Sequence, residues 1–111
     1  MATYNPKALV PMTQLTATGG TSVYTQPAST TSVLRTIHLN TASAGRTATV
    51  SLGADASGTR LLDAYALSAN APAILNGWWV INSGAGGAHA IDANASATTS
   101  VNLVISGYEY A

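Results

Sequence analysis

Residues that favour turns interrupt this chain at intervals of about 8 to 12 positions, which limits its possible folds more than any other feature. Amphipathic helices need longer uninterrupted stretches, whereas a strand is complete within about 4 to 8 residues. Clusters of Gly, Pro, Asn, Ser and Thr occupy residues 19–20, 26–30, 41–45, 53–58, 68–72, 76–77 and 83–87. The spacing therefore predicts many short strands joined by turns.

Between the turns, apolar and polar side chains alternate with a period of two, as they do on half-buried strands. Ala48, Val50 and Leu52 alternate with threonine and serine in this way. Residues 33–40 show the same alternation, while residues 101–105 are mostly apolar on both sides and favour a central strand. Predicted strands cover residues 13–17, 22–25, 33–40, 47–52, 60–67, a hairpin of 73–75 with 78–81, 89–93 and 100–108. The predicted fold is an all-β antiparallel β-sandwich, jelly-roll-like, with about eight strands.

The chain length suits one domain, which we expect to span residues 13–111. The core needs side chains larger than the abundant Ala and Gly. Candidates for it are Val23, Val33, Ile37, Leu39, Val50, Leu52, Leu62, Leu67, Ile74, Val80, Ile91, Val101, Leu103 and Ile105.

Residues 1–12 form a separate segment in this prediction, an extended N-terminal arm that contains Tyr4, Pro6, Lys7 and Pro11. Extended backbone is favoured before each proline. The arm is interpreted either as a frayed terminus or as a segment that lies across a neighbouring subunit. In the second case these four residues are candidate partner-interface residues.

Charge is scarce: 7% of the residues are charged, whereas 47% are hydrophobic. A typical soluble domain is about 25% charged, so the composition favours surface that is shared in an assembly, and we expect a homo-oligomer. The four basic residues are scattered, which argues against nucleic acid as a partner. No apolar run approaches the roughly 20 residues of a membrane span. The run at residues 8–10 is also too short for a signal-peptide core, so we expect a cytoplasmic site of synthesis.

No residue pattern predicts catalysis or a bound cofactor. A Ser-His-Asp triad would need His38 or His89 beside a serine and an acid, and the nucleophile-elbow motif is missing. The chain has no cysteine, and its two histidines lack metal-ligand spacing. Asp92, Asn94 and Ser96 match only the start of a calcium loop. We therefore expect no enzyme activity, no metal and no cofactor.

Trp78 and Trp79 are the other candidate interface residues. Neighbouring strand residues point to opposite faces, so both indoles cannot enter one side of the core. One ring is expected near the surface, either packed under a loop or anchoring a partner. Binding of a glycan on this aromatic ring is a third possibility.

Residues 21–75 carry a succession of motifs. A Val23-Tyr24-Thr25 strand and the turn Gln26-Pro27-Ala28 precede a strand of the pattern Val-x-Arg-x-Ile-x-Leu at residues 33–39. An Asn-Thr-x-Ser turn at residues 40–43, a Thr/Val-rich strand at 47–52 and Gly58-Thr59 follow. In this order the segment resembles small virion proteins of tailed bacteriophages, of the head decoration (cement) type. This chain has Ser29 where that pattern has glycine.

The resemblance implies a structural virion protein that binds the head lattice, stabilises it and is commonly a trimer. The expected partners are other copies of the chain and the major capsid protein or other virion proteins. The expected location is the virion, assembled in the host cytoplasm. A neck, tail or fibre component is the nearer alternative, and a small glycan-binding module is the alternative from another class. No catalytic residues come with the resemblance.

Overall fold

The computed structural model describes residues 4–17, 22–27, 29–53, 59–81, 90–98 and 100–110, with no side-chain description for Tyr4, Thr59 and Arg60. Within these ranges the chain forms eight strands and two four-stranded sheets. The strands are β1 Tyr4–Gln14, β2 Ser22–Thr25, β3 Thr31–Thr41, β4 Arg46–Leu52, β5 Thr59–Leu67, β6 Ala73–Ile81, β7 Ala90–Ala95 and β8 Val101–Tyr110.

The strand order is β1-β8-β3-β6 in the first sheet and β2-β7-β4-β5 in the second, and all paired strands are antiparallel. The first strand pairs with the last, the second with the seventh, the third with the sixth and the fourth with the fifth. A long hairpin folded over on itself produces this nested pairing, which is the topology of a jelly roll. The predicted all-β sandwich of eight strands is confirmed.

The first strand differs from the expected arm. β1 begins at Tyr4 and pairs with β8 from Tyr4 opposite Tyr110 to Gln14 opposite Asn102. Leu9 and Val10 are buried in the core, so residues 4–12 belong to the sandwich and the predicted boundary at residue 12 does not hold. Prolines signal an arm in sequence, but an edge strand tolerates them because one of its sides needs no hydrogen bonds.

The predicted hairpin at Asn76 and Gly77 is also wrong, because β6 runs through these residues as one strand. Leu34 of β3 lies opposite Trp79, and Thr36 lies opposite Asn76. Two residues of β6 therefore face the single residue Arg35, which is a β-bulge. The Asn-Gly pair lies at this bulge rather than in a turn.

The core lies between the two sheets and contains most of the expected residues. Val23 and Leu52 are partly buried and pack against it. Three predictions differ from the structure: Val33 is buried but outside this core, and Ile74 and Val80 are 57% and 38% exposed. The two exposed residues lie on the outer side of β6, where alternate residues are exposed. Core residues that the sequence analysis missed are Leu9, Val10, Leu15, Tyr24, Leu34, Ala48, Ile81, Ala93 and Ala95.

Candidate functional site

The outer face of the β1-β8-β3-β6 sheet carries the exposed Trp78 and the half-buried Tyr108 and Tyr110. Residues directly opposite each other on antiparallel strands share a face of the sheet. One such row crosses all four strands: Pro6, Tyr108, Val33 and Val80. Val33, in the middle of this row, is only 1% exposed. The outer face therefore has its own small apolar centre, separate from the core between the sheets.

Trp78 is the most exposed aromatic residue described, with 59% of its surface accessible. The Arg35 guanidinium carbon lies 4.6 Å from the centroid of the Trp78 ring, within the range of a cation–π contact. The Tyr108 ring meets Trp78 edge to face, with centroids 6.1 Å apart, and lies 6.2 Å from Tyr110. We name the group Arg35, Trp78, Val80, Tyr108 and Tyr110 the aromatic patch.

The bulge in β3 positions the arginine of this patch. The register of β3 shifts between Leu34 and Thr36 against both of its neighbours, so Arg35 leaves the regular alternation and is exposed. Its Nε donates a hydrogen bond to the carbonyl oxygen of Gly77, at 3.1 Å. This bond holds the guanidinium next to the strand that carries Trp78.

Trp79 occupies the opposite side of β6 and packs against the core. A Cβ added to Gly77 would lie 2.5 Å from the Trp79 ring, so the indole covers the space that a side chain at residue 77 would need. The expectation that the two indoles separate, with one near the surface, is confirmed.

The four expected arm residues are divided between two environments. Pro6 is exposed and lies in the row of Tyr108, next to the aromatic patch, and Tyr4 is opposite Tyr110. Pro11 is exposed in β1. Lys7 instead forms an ion pair with Glu109, with 3.1 Å between Nζ and Oε1. The charge of Lys7 is therefore used within the subunit.

Beneath the aromatic patch, on the inner side of the sheet, lies a buried polar network. The Tyr24 hydroxyl donates to Glu109 Oε2 at 2.5 Å and lies 2.6 Å from Ser32 Oγ. The Gln26 amide donates to Ser32 Oγ and to the carbonyl oxygen of Ile81. Burial, followed by the hydrogen bond to Glu109, raises the pKa of Tyr24 far above its ordinary value.

Sequence reasoning missed this network, although a signal existed. Glu109 is at an odd-numbered position of β8 and so lies on the same side of the strand as Val101, Leu103 and Ile105, which face the core. An acidic residue at a core position of a strand needs hydrogen-bond donors, because a buried charge without partners is costly.

The opposite end of the outer face holds an open polar recess of about 380 Å³. It is lined by His38, Asn40, Thr41, Ala42, Asn70, Pro72 and Asn102, the group that we name the polar recess. His38 lies on the outer side of β3 and is half-buried. The asparagines were missed, because Asn40 and Asn102 are far apart in sequence and meet only through the pairing of β3 with β8.

The described residues contain no cluster of three or more His, Asp or Glu side chains that could hold a metal ion. Asp92 and Asn94 lie within β7, in a strand rather than a calcium-binding loop. His89 and residues 84–87 lie outside the described residues. Within the described ranges, no helix is both long and apolar enough to cross a membrane.

No protein-family model and no curated protein sequence matches this chain. Among solved structures, the chain is similar to one described as the structure of infectious bursal disease virus Gx strain, with a TM-score of 0.40 and 14% sequence identity. The similarity covers 99% of this chain but only 38% of the other, so our chain spans well under half of that protein. The jelly-roll assignment rests on the strand order rather than on this similarity.

Proposed function

We propose that this chain is a structural protein of a virus particle, and more specifically a decoration (cement) protein of a tailed-phage head. In this role it binds the assembled shell, stabilises it and has no catalytic activity. The observation that carries the proposal is the aromatic patch, an exposed cluster on a rigid sheet of a protein with very little surface charge. The sequence resemblance over residues 21–75 supports the same role.

The chemistry of the patch suits contact with another protein. Trp, Tyr and Arg are the residue types most enriched among those that dominate protein–protein binding energy. Trp78 contacts both Arg35 and Tyr108, so little side-chain freedom is lost when a partner covers it. In this proposal the patch contacts either a neighbouring copy within the expected homotrimer or the major capsid protein of the shell.

The exposed positions of β1 extend this surface. Pro6 lies in register with Tyr108, so a partner seated on the patch would also touch β1. In this arrangement the N-terminal residues contribute through the sheet rather than as a free arm. Removing them would take Leu9 and Val10 out of the core, so deletion of the segment is not a clean test of binding.

Association is best tested with a matched pair of substitutions. Trp78→Ala removes the central ring of the patch, whereas Tyr65→Ala removes an aromatic side chain that is 39% exposed on β5 of the other sheet. We expect Trp78→Ala to weaken association with the shell, or between copies, by at least about 30-fold, equivalent to about 2 kcal/mol. Tyr65→Ala should leave it unchanged. Light scattering gives the subunit number, and co-sedimentation with particles gives shell binding.

Imaging of particles that carry the protein separates the decoration role from its nearer alternative. Decoration copies follow the symmetry of the shell lattice, whereas a neck or tail component forms a ring on the particle axis. Equal binding by Trp78→Ala and the unsubstituted chain would contradict the role of the patch. Failure of the purified, unsubstituted protein to associate with any particle shell would contradict the virion role itself.

A further inference from the structure

The polar recess contains hydrogen-bonding groups but no charged side chain. Its lining residues include one histidine, three asparagines and one threonine, with no Asp, Glu, Lys or Arg. A phosphate or a carboxylate would lose hydration on entering the recess, and no Lys or Arg in the lining would compensate for that loss. The lining therefore favours a neutral ligand.

Two carboxamides at the base of the recess are oriented by each other. Asn102 Nδ2 donates to Asn40 Oδ1 at 3.2 Å. This leaves the Asn40 amide hydrogens and the Asn102 carbonyl oxygen without a partner among the described residues, so the pair presents one donor next to one acceptor. Rotating both amides by 180° would exchange the two roles and preserve the arrangement.

The base of the recess is rigid, because β3 and β8 are the central strands of their sheet. Asn40 and Asn102 lie directly opposite each other in the register, and His38 lies opposite Val104. The ligand-binding groups are therefore held in place before any ligand arrives, which lowers the entropic cost of binding.

The rim is anchored to the same strands. The Asn70 backbone N–H donates to the carbonyl oxygen of Thr41 at 2.7 Å, and Asn70 has a left-handed backbone with φ of 58°. The Thr41 hydroxyl already donates to Ser100 O and accepts from Ser43 N, so it forms part of the wall. The side chains of His38 and Asn70 have no hydrogen-bond partner within the described part of the chain and remain available.

Apolar surface borders these polar groups. Pro72 lines the recess, and Ile74, which is 57% exposed, lies directly opposite His38 on the same face of the sheet. Neutral sugars combine the same two features, with adjacent hydroxyls that both donate and accept hydrogen bonds and with apolar C–H groups. Small-ligand sites of this size typically combine a small number of polar groups with a mainly apolar lining.

We propose that the polar recess binds a neutral saccharide, with two adjacent hydroxyls of the sugar on the Asn40–Asn102 pair and its C–H surface against Pro72 and Ile74. The site is separate from the aromatic patch. Three residues of β6 lie between Ile74 and Trp78, so the two residues are about 13 Å apart along the strand. The saccharide proposal does not depend on the proposed virion role, because the recess would be present even if the protein binds no virus particle.

Titration of the isotopically labelled protein with neutral sugars, followed by NMR, tests the proposal. The probes are glucose, galactose, mannose and N-acetylglucosamine at concentrations up to roughly 50 mM, which detects a Kd in the millimolar range. Glucose 6-phosphate and inorganic phosphate serve as charged comparisons. We expect at least one neutral sugar to shift the backbone signals of His38, Asn40, Asn70 and Asn102, and phosphate to shift none of them.

Asn102→Ala should weaken that binding at least ten-fold, while Asn76→Ala should not change it. Asn76 is the matched control, because it is an exposed asparagine on the same face but outside the recess. Unchanged spectra of both variants away from the substituted residue would show that the fold is retained.

Four results would overturn the proposal. The first three are an absence of shifts with every neutral sugar, shifts centred on Trp78 and Tyr108 instead of the recess, and equal sugar affinity of Asn102→Ala and the unsubstituted protein. Binding of inorganic phosphate in the recess would also overturn it, because the site would then select charge. Should Asn102→Ala fail to fold, His38→Ala replaces it under the same criteria.

Discussion

The two sides of the β1-β8-β3-β6 sheet differ sharply at the end where β8 finishes. On the inner side, Glu109, Tyr24 and Ser32 form a buried hydrogen-bonded network. On the outer side, Tyr108 and Trp78 are in contact with each other and remain open to solvent. Consecutive residues of one strand therefore lie in different environments, the inner ones in a hydrogen-bonded network and the outer ones at the surface where we propose that a partner binds.

Substitution of Gly107, which directly precedes Tyr108 in β8, should cause the largest loss of stability. A Cβ there would lie 1.9 Å from the carbonyl oxygen of Val33, so β8 could not keep its distance from β3. We expect Gly107→Ala to lower the free energy of unfolding by about 4 kcal/mol and to disrupt the inner network and the aromatic patch together. Urea unfolding measures this loss.

Gly45→Ala is the control for that substitution. Gly45 has a φ of 71° but nothing within 4 Å of an added Cβ, so only backbone strain of about 1 kcal/mol is expected. Equal losses of unfolding free energy in the two alanine variants would show that the close approach of β8 to β3 does not restrict the side-chain size at residue 107.

A smaller effect separates the two adjacent tryptophans. Trp79→Ala should lower the free energy of unfolding by about 3 kcal/mol, because it leaves a cavity against the core. Trp78→Ala should lower the free energy of unfolding by only about 1 kcal/mol, because the substitution removes one cation–π contact and one edge-to-face contact at the surface. Chemical denaturation of both variants measures the difference. Similar losses would contradict the assignment of Trp79 to the core and of Trp78 to the surface.

The smallest effect concerns pH. The pKa of Tyr24 is raised in the folded state from an ordinary value of 10.0, so folding favours the protonated hydroxyl. Its contribution to stability is complete below pH 10 and is lost as the pH rises above that value toward the folded-state pKa. The loss should reach at most about 1.4 kcal/mol per pH unit.

Tyr24→Phe provides the comparison, because it keeps the ring and removes the titrating group. The difference in unfolding free energy between the unsubstituted chain and this variant should be constant below pH 10 and shrink above it. A difference that stays constant to about pH 11 would mean that the hydroxyl titrates equally in both states.

Much of the fold was predictable because its signals are local. Alternation in residues 47–52 and the two-sided apolar run at 101–105 depend only on neighbouring residues, and both became strands of the predicted kind. Turn residues also marked most strand ends. The left-handed backbone at Ser29, with φ of 56°, coincides with the one position of the turn where the resembled proteins have glycine.

The failures share a physical cause. Prolines in β1 and the Asn-Gly pair in β6 are strong local signals for an arm and a turn, but both lie in edge strands. There, missing hydrogen bonds and irregular register are tolerated on the open side. The bulge at Arg35 reverses the alternation of β3, so Val33 faces outward opposite Val80 while Ile37 faces the core. The alternation of β6 is unbroken, and it places Ile74 and Val80 on the outer side.

The candidate sites depended still more on distant pairing. The sequence analysis predicted that one tryptophan would be exposed, because adjacent strand residues point to opposite faces. That Trp78 is the exposed one, between Arg35 and Tyr108, followed from the register of three strands. The polar recess gave no sequence signal, since Asn40 and Asn102 are separated by 62 residues.

The sequence by itself determined the class of fold, the approximate strands and most of the core. These follow from side-chain period, turn chemistry and composition, which act over a few neighbouring residues. Only the tertiary structure decided the jelly-roll strand order, the inclusion of residues 4–12 in the sheet, and the two sites on its outer face. Those features depend on which distant strands pair and in what register, and hydrogen bonds between strands are set by the whole sandwich rather than by any one segment.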